Sequence, residues 1–397
     1  MRIAFITLAV LLTAISCTPS PAPPAALPAA EQAAAPCEPG TSATEAPRCA
    51  AASAEAALTW ADVANDPQAI GHWRANATET LASFGGDASP PAFTFGCERG
   101  FLQMAEMVNW SRLSNGVKST ALMRRALHDA FAVARGRKAF GKTIIDLPLA
   151  RRQLLKLMLP LEQALSLCFI TADALDRAER PGSPSQDAAA LLRILTPVLK
   201  FRSTRDARKV CGDALEFRGG IGYVEEFAPA RLLRDAHLGS IWEGTSNIVA
   251  IDAITRAIGK HSAESALAAD LHARISDTSI LPGMYAEHLK RLTDRAIAYA
   301  QKVARDGQSE ADARRATSLL YHTASAVTLA WDAGRIHARR GDASRLLLSR
   351  LVIDHKLTTS DPFAAAPANH ESAIAAGLLG EKSYDLKTIQ EIAGSSL

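Results

Sequence analysis

The amino-acid sequence predicts an all-α protein. Two observations carry that reading. Apolar residues recur at three- and four-residue intervals through long stretches between residues 100 and 258, and no set of alternating runs is large enough to build a sheet. A third observation is the punctuation: breaks such as "RPGSPS", residues 180–185, separate the periodic stretches as short loops separate the helices of a bundle.

Before the periodic part lie three segments of different character. Residues 1–17, "MRIAFITLAVLLTAISC", carry Arg2 and then an apolar run broken by Thr7 and Thr13. That is the length of a secretory signal core and short for a bilayer span. Cys17 closes it, so a lipid-anchoring cleavage site is one reading and a buried strand the other. Residues 18–57, opening "TPSPAPPAALPAAEQAAAPCEPG", are rich in alanine and proline and show no apolar stripe; they read as a disordered tether. Cys37 and Cys49 lie within it and could bridge in an oxidising compartment. Residues 58–98 are a poorly defined lead-in. They hold a short helix with Trp60, Val63, Ile70 and Trp73, the loop "GGDASPP", and a lone strand at "AFTFG", residues 92–96.

The helices follow in order. Leu113, Val117, Thr120, Leu127, Phe131 and Ala134 predict one long helix over about 100–137, with Gly116 as a candidate bend. Leu154, Leu157, Met158, Leu161, Leu165, Cys168 and Ala172 mark a second over 148–179. Leu191, Leu192, Leu195, Val198, Leu199 and Ala207 mark a third over 187–217 despite Pro197. A short helix near 228–236 precedes a fourth apolar one over 246–258. The bundle is therefore expected at 99–260, a helical extension at 261–365 and a C-terminal tail at 366–397. In the extension, Tyr285, Leu289, Leu292 and Ala296 share a face, Ser309 and Asp312 have capping-box spacing, and 342–356 is a further helix.

Charge and chemistry-bearing residues narrow the function. With 44 basic and 41 acidic residues, a net charge of +3 argues against a strongly basic nucleic-acid binder. A local patch, "ARRGDASRLLLSR" at 338–350, offers Arg339, Arg340, Arg345 and Arg350 for non-specific phosphate contact. It lacks interleaved aromatics, and DNA binding is not the favoured reading. Cys97, Cys168 and Cys211 match no metal-site spacing and read as structural thiols; no His-Glu-x-x-His run occurs, and no metal ligand is assigned. His288 and His322 read as exposed helix positions.

Three short constellations stand out. In "RLLRDAHLGSIWEGTSNIVAIDAITRAIG", residues 231–259, Glu243 sits between Trp242 and Gly244 just before an apolar helix. An indole that excludes water would make this carboxylate a better base. Thr245, Ser246 and Asn247 are all able to cap the next helix, whose free amides attract a phosphate or a carbonyl oxygen. The plain alternative is a solvated acid favoured by the helix dipole. In "GRKAFGK", residues 136–142, Arg137 has the rigid fork that suits a pyrophosphate and Phe140 could pack a flat ring; the alternative is a basic helix C-terminus ended by Gly141. "RGGIGY", residues 218–223, permits close backbone approach but lacks the strand context of a dinucleotide fingerprint.

Taken together in order and spacing, "CERGFLQMAEMVNWSRLSN", "ALMRRALHDAFAVARGRKAFGKTIIDLPLARRQL", "ALEFRGGIGYVEE" and "RLLRDAHLGSIWEGTSNIVAIDAITRAI" resemble the C-terminal domain of the acyl-CoA dehydrogenase family. The branch they resemble contains the bacterial alkylation-response flavoprotein, and the tail including "HKLTTSDPF" is similar to that branch's helical extension. The resemblance implies a four-helix bundle, FAD as cofactor, an acyl-CoA thioester as substrate and a homo-oligomer. It implies Glu243 as the base that removes the α-proton, with its own N–H holding the thioester oxygen. It also implies Arg137 on the FAD pyrophosphate of a neighbouring subunit, with Phe140 nearby. Gly219 and Gly220 would support the same part of the cofactor, and Thr245 and Asn247 would contact it. Arg112 would be structural or substrate-orienting, while Glu216 stands where many members have glutamine. A hydride leaving the β-carbon for the flavin would then give the trans-2-enoyl thioester.

The resemblance begins near residue 97, so the family's N-terminal helical and β domains are expected to be missing. An inactive truncated form, a non-catalytic exported helical module and a partial flavin site completed across a homodimer are the competing expectations. The signal-like N-terminus points to export or a membrane tether, and the resemblance to the cytoplasm.

Overall fold

The computed structural model describes residues 100–180, 183, 185–306, 309–358, 368–379 and 384–394. The signal-like segment, the tether, the lead-in, Cys17, Cys37, Cys49 and Cys97 lie outside the described residues.

Helix α1 spans Gly100–Gly136 and buries the stripe read from its sequence: Leu113, Val117, Thr120, Leu127 and Ala134 face inward, with Phe131 half-buried. It runs unbroken through Gly116. A Cβ there would stand 2.9 Å from Leu199 Cγ, so this glycine permits close helix–helix approach rather than a break.

The chain after α1 departs from expectation. The helix stops at Gly136 and Gly141 does not cap it. Lys138–Ala139 (β1) pairs antiparallel with Lys142–Thr143 (β2) around a two-residue turn. Phe140 at φ 53° and Gly141 at φ 76° are both left-handed, which is the backbone a tight hairpin needs to match strand twist.

Helix α2 (Pro148–Ala178) opens on a proline, whose missing N–H is harmless in the first turn, and continues through Pro160. It is long and apolar enough to cross a bilayer. Yet 67% of its most apolar stretch is buried within the protein, as befits a core helix. Helix α3 (Gln186–Phe217) is capped by Ser185, whose hydroxyl accepts from the Ala188 N–H at 3.2 Å, and packs along α2. The turn α4 (Gly220–Tyr223) leads to α5 (Ala228–Gly239), which lies on α3. Helix α6 (Ser246–Ile251) passes into a wider π-helical stretch, Asp252–Ile258, so the predicted fourth helix is present but not regular.

The extension consists of α7 (Glu264–Ser276), α8 (Gly283–Arg305), α9 (Ala313–Arg340) and α10 (Arg345–Val352, continued as a π turn over Ile353–Leu357). Tyr285, Leu289, Leu292 and Ala296 are buried on α8 as their spacing predicts. Ser309–Asp312 is a 3₁₀ turn leading into α9, and Asp312 precedes that helix without a side-chain cap bond. Within 366–397 lie α11 (Ala368–Leu378) and α12 (Leu386–Gly394).

Helix α9 packs against α2, α3, α7, α8 and α10, and that corrects one reading. His322 is 5% exposed, not a surface residue, with Nδ1 3.0 Å from the Gln163 side-chain amide nitrogen. A polar group carried on a central helix is enclosed whatever its type and must find partners inside. Burial, helped by Arg202 and Lys356, pushes its pKa well below the ordinary histidine value.

One apolar core runs from Leu113 in α1 to Ala393 in α12, joining bundle and extension. A second gathers Met123, Leu154, Leu157 and Val210 where α1, α2 and α3 meet. Cys168 and Cys211 are free buried thiols, each pushed up to about 12 by burial.

Candidate active site

The loop between α5 and α6 holds a titratable residue in left-handed backbone. Glu243 has φ 57° and Gly244 φ 99°. A non-glycine residue in the left-handed region costs about 1–2 kcal/mol and persists only where surroundings enforce it.

Those surroundings are two cations. Lys200, on α3 and 1% exposed, has Nζ 3.1 Å from the Trp242 carbonyl oxygen and also donates to the Gly244 carbonyl. Arg112, on α1, donates from Nε to the Glu243 carbonyl at 3.2 Å. Three successive carbonyls thus point at buried positive charge. Arg112 is in turn held by Asp252 at 2.7 Å, which also takes Arg193 at 2.9 Å. Burial raises the Asp252 pKa, but hydrogen bonds and charge from Arg193 and Arg112 outweigh it and hold the carboxyl below its usual range.

The Glu243 side chain is half-buried, with Oε1 accepting a short hydrogen bond from the Ser111 hydroxyl. Its Oε2 is buried with no partner among the described residues. One oxygen is anchored and the other is left as an acceptor, which is the geometry a general base needs. Trp242 does not cover the site as expected from its place in the sequence. It is 41% exposed, with the Lys118 ammonium 5.1 Å from its ring centroid.

The remaining sequence-selected residues form a second locus. Arg137 and Arg218 line an open cleft of about 570 Å³ together with Asp129, Gly220 and Ile221. Gly219, at φ 72°, has Arg137 Nη1 only 3.5 Å from where a Cβ would be. A guanidinium beside a glycine whose side of the chain is open makes a cradle for a pyrophosphate-like anion. Phe140 is 94% exposed at the hairpin tip. Thr245 occupies the cap position of α6 but its side chain makes no cap bond, and Asn247 Oδ1 accepts from Arg314 at 3.3 Å. Glu216 is exposed. Of the basic patch, Arg339 and Arg340 are exposed, whereas Arg345 is held by Glu162 at 2.8 Å and Arg350 by Asp354 at 2.8 Å.

Sequence reading missed Ser111, Lys200, Arg193 and Asp252. The cue for Lys200 and Asp252 was available: each is a charge inside an otherwise apolar stripe ("TPVLKF" and "IVAIDAI"), where a charge demands a partner. Ser111 carried no cue.

Comparison with known proteins agrees with this architecture. Residues 98–259 match the family model for the acyl-CoA dehydrogenase C-terminal domain. The chain is 34% identical over 164 residues to acyl-CoA dehydrogenase family member 11 of Caenorhabditis elegans, covering 41% of this chain and 26% of that protein. It is 34% identical over 163 residues to the acyl-CoA dehydrogenase-like protein AidB of Escherichia coli (strain K12), covering 41% and 29%. The chain thus spans roughly a quarter of the length of these curated relatives. The crystal structure of Caenorhabditis elegans ACDH-11 in complex with C11-CoA superposes with a TM-score of 0.59 at 24% identity, covering 72% of this chain and 49% of that one, and so shares its fold. Over residues 98–259 the chain is similar to the C-terminal domain of the acyl-CoA dehydrogenase family.

Proposed function

We propose that this domain supplies the base and part of the cofactor cradle of an FAD-dependent acyl-CoA dehydrogenase, which removes an α-proton and a β-hydride from an acyl-CoA thioester. The observation that carries the reading is Glu243, with one carboxylate oxygen anchored by Ser111 and the other buried and unpartnered, on a loop whose carbonyls are all turned to cations.

The donor set suits FAD. Arg137, beside the left-handed Gly219, would grip the pyrophosphate, with Gly220 leaving room for it. Asp129 in the same cleft is offset by Arg125 at 3.1 Å and Arg218 at 3.8 Å. Phe140, held outward by the hairpin, is available to a ring system or to a second copy of the chain. Bound FAD would supply the hydride acceptor.

The chain's own residues do the rest. Glu243 Oε2 takes the α-proton. The Glu243 N–H points away from Lys200, because a trans peptide sets N–H opposite C=O, and is free to hold the thioester oxygen as negative charge develops. Arg112 and Lys200 add positive potential beneath it. Ser111 fixes the carboxylate rotamer.

The test is acyl-CoA-dependent bleaching of the FAD-loaded full chain. Glu243→Gln should keep FAD affinity and the thermal midpoint while lowering the bleaching rate by about 10²–10⁴-fold. An unchanged rate removes Glu243 from the mechanism; a folded chain that takes up no FAD removes the dehydrogenase reading for this chain.

A further inference from the structure

Lys200 poses a problem that the role of Glu243 does not explain. Its side chain is buried in the middle of α3, flanked by Leu199 and Phe201 at 0% and 1% exposure. Among the described residues no carboxylate lies within salt-bridge distance of its ammonium. Burying an unpaired ammonium is expensive, and a methionine or leucine would fill the same space without penalty. Among the described residues its hydrogen-bond acceptors are two backbone carbonyls, Trp242 and Gly244, one residue to either side of Glu243.

The geometry of a trans peptide says what that grip does. Drawing the Trp242 carbonyl inward turns the Glu243 N–H outward, and drawing the Gly244 carbonyl inward turns the Thr245 N–H outward. Arg112 does the same for the peptide between them. None of these three amides has an acceptor in the protein among the described residues. The left-handed backbone at Glu243 is what such a double grip requires, since an unrestrained Glu-Gly pair would relax to negative φ at the glutamate.

We propose that Lys200 is a positioning residue. Its ammonium clamps the peptides on both sides of Glu243, and so aims the Glu243 N–H and carboxylate together at the thioester. The clamp itself is a statement about this chain's backbone; only its purpose rests on the dehydrogenase reading above.

Methionine and glutamine match each other in length, one atom shorter than lysine, but only glutamine keeps N–H donors. Amide hydrogen exchange over residues 240–248 is therefore compared in wild type, Lys200→Met and Lys200→Gln, using the full chain without flavin or thioester. The expected result is exchange at least about 10-fold faster in Lys200→Met at the hydrogen-bonded amides of Ser240, Ile241 and Trp242, with α3 peptides either side of residue 200 unchanged and Lys200→Gln recovering part of the protection. Loop exchange in Lys200→Met equal to wild type overturns the proposal. Loss of cooperative thermal unfolding in both variants overturns it too, because Lys200 would then serve the core and not the loop. In an FAD-loaded chain that turns over acyl-CoA, Lys200→Met should lower kcat by about 10²-fold with KM within about threefold. A KM rise at constant kcat counts against the aimed amide. A chain that never turns over leaves the exchange result to decide the clamp, so the two readings fail separately.

Discussion

At the scale of single residues, the site is organised by buried charge. Asp252 is 6% exposed and stands between Arg112 and Arg193, so it neutralises the cation that holds the Glu243 carbonyl. Removing one partner of such a cluster is worse than never having built it. Asp252→Asn should destabilise the fold by about 3 kcal/mol, read as the shift in urea midpoint; a midpoint within error of wild type would mean that Arg193 and Arg112 find other partners. His322 makes a different kind of demand. Its folded pKa is depressed, so below pH ~6.5 the unfolded chain takes up a proton that the folded chain refuses. Stability therefore falls as pH drops through that value toward the depressed folded pKa. His322→Gln, which can still meet Gln163, should flatten the urea midpoint between pH 7.5 and 5.5; an undiminished slope would assign the acid sensitivity elsewhere.

At the scale of elements, two short features do what their helices cannot. Gly116 lets α1 sit against Leu199 of α3, and α3 carries Lys200 at the next position. Gly116→Val should cost about 2 kcal/mol through overpacking, more than any gain in helix propensity can offset. Since Leu199 would be pushed, the Glu243 loop should exchange faster in the same variant. The β1–β2 hairpin places Phe140 in left-handed backbone while leaving it almost fully exposed. An exposed ring contributes little packing, and Asn-Gly is the favoured sequence for this turn. Phe140→Asn should therefore stabilise the unliganded chain by about 0.5–1 kcal/mol, measurable by thermal melting. If the same substitution also weakens FAD binding, the strain at Phe140 is maintained for the cofactor.

At the scale of the molecule, the family-like bundle and the extension are not separate bodies. Leu195 and Val198 of α3, Ile254 beyond α6, Leu289 of α8, Val327 of α9 and Leu347 of α10 share one core. Burial of this kind couples elements that are distant in sequence. Calorimetry should give a single transition for residues 107–394, with calorimetric and van't Hoff enthalpies equal; two resolved transitions would show that the extension unfolds by itself.

Fold class, helix order and most inward faces were legible in the sequence because a 3.6-residue apolar period is a local property of the chain. Tyr285 and Leu289, or Leu154 and Leu157, could be assigned to the core without knowing what they touch. Glu243, Arg137, Gly219 and Gly220 stand out as candidates for another reason: each sits in a short run of unusual residue types. What local pattern cannot encode is which distant side chain meets which. Ser111 reaches Glu243 across 132 positions and Gln163 reaches His322 across 159, and only packing of the helices brings them together. The left-handed turns at Phe140 and Glu243 were hidden for the same reason. Neither residue favours that backbone, and at Glu243 it is cations from α1 and α3 that hold it there.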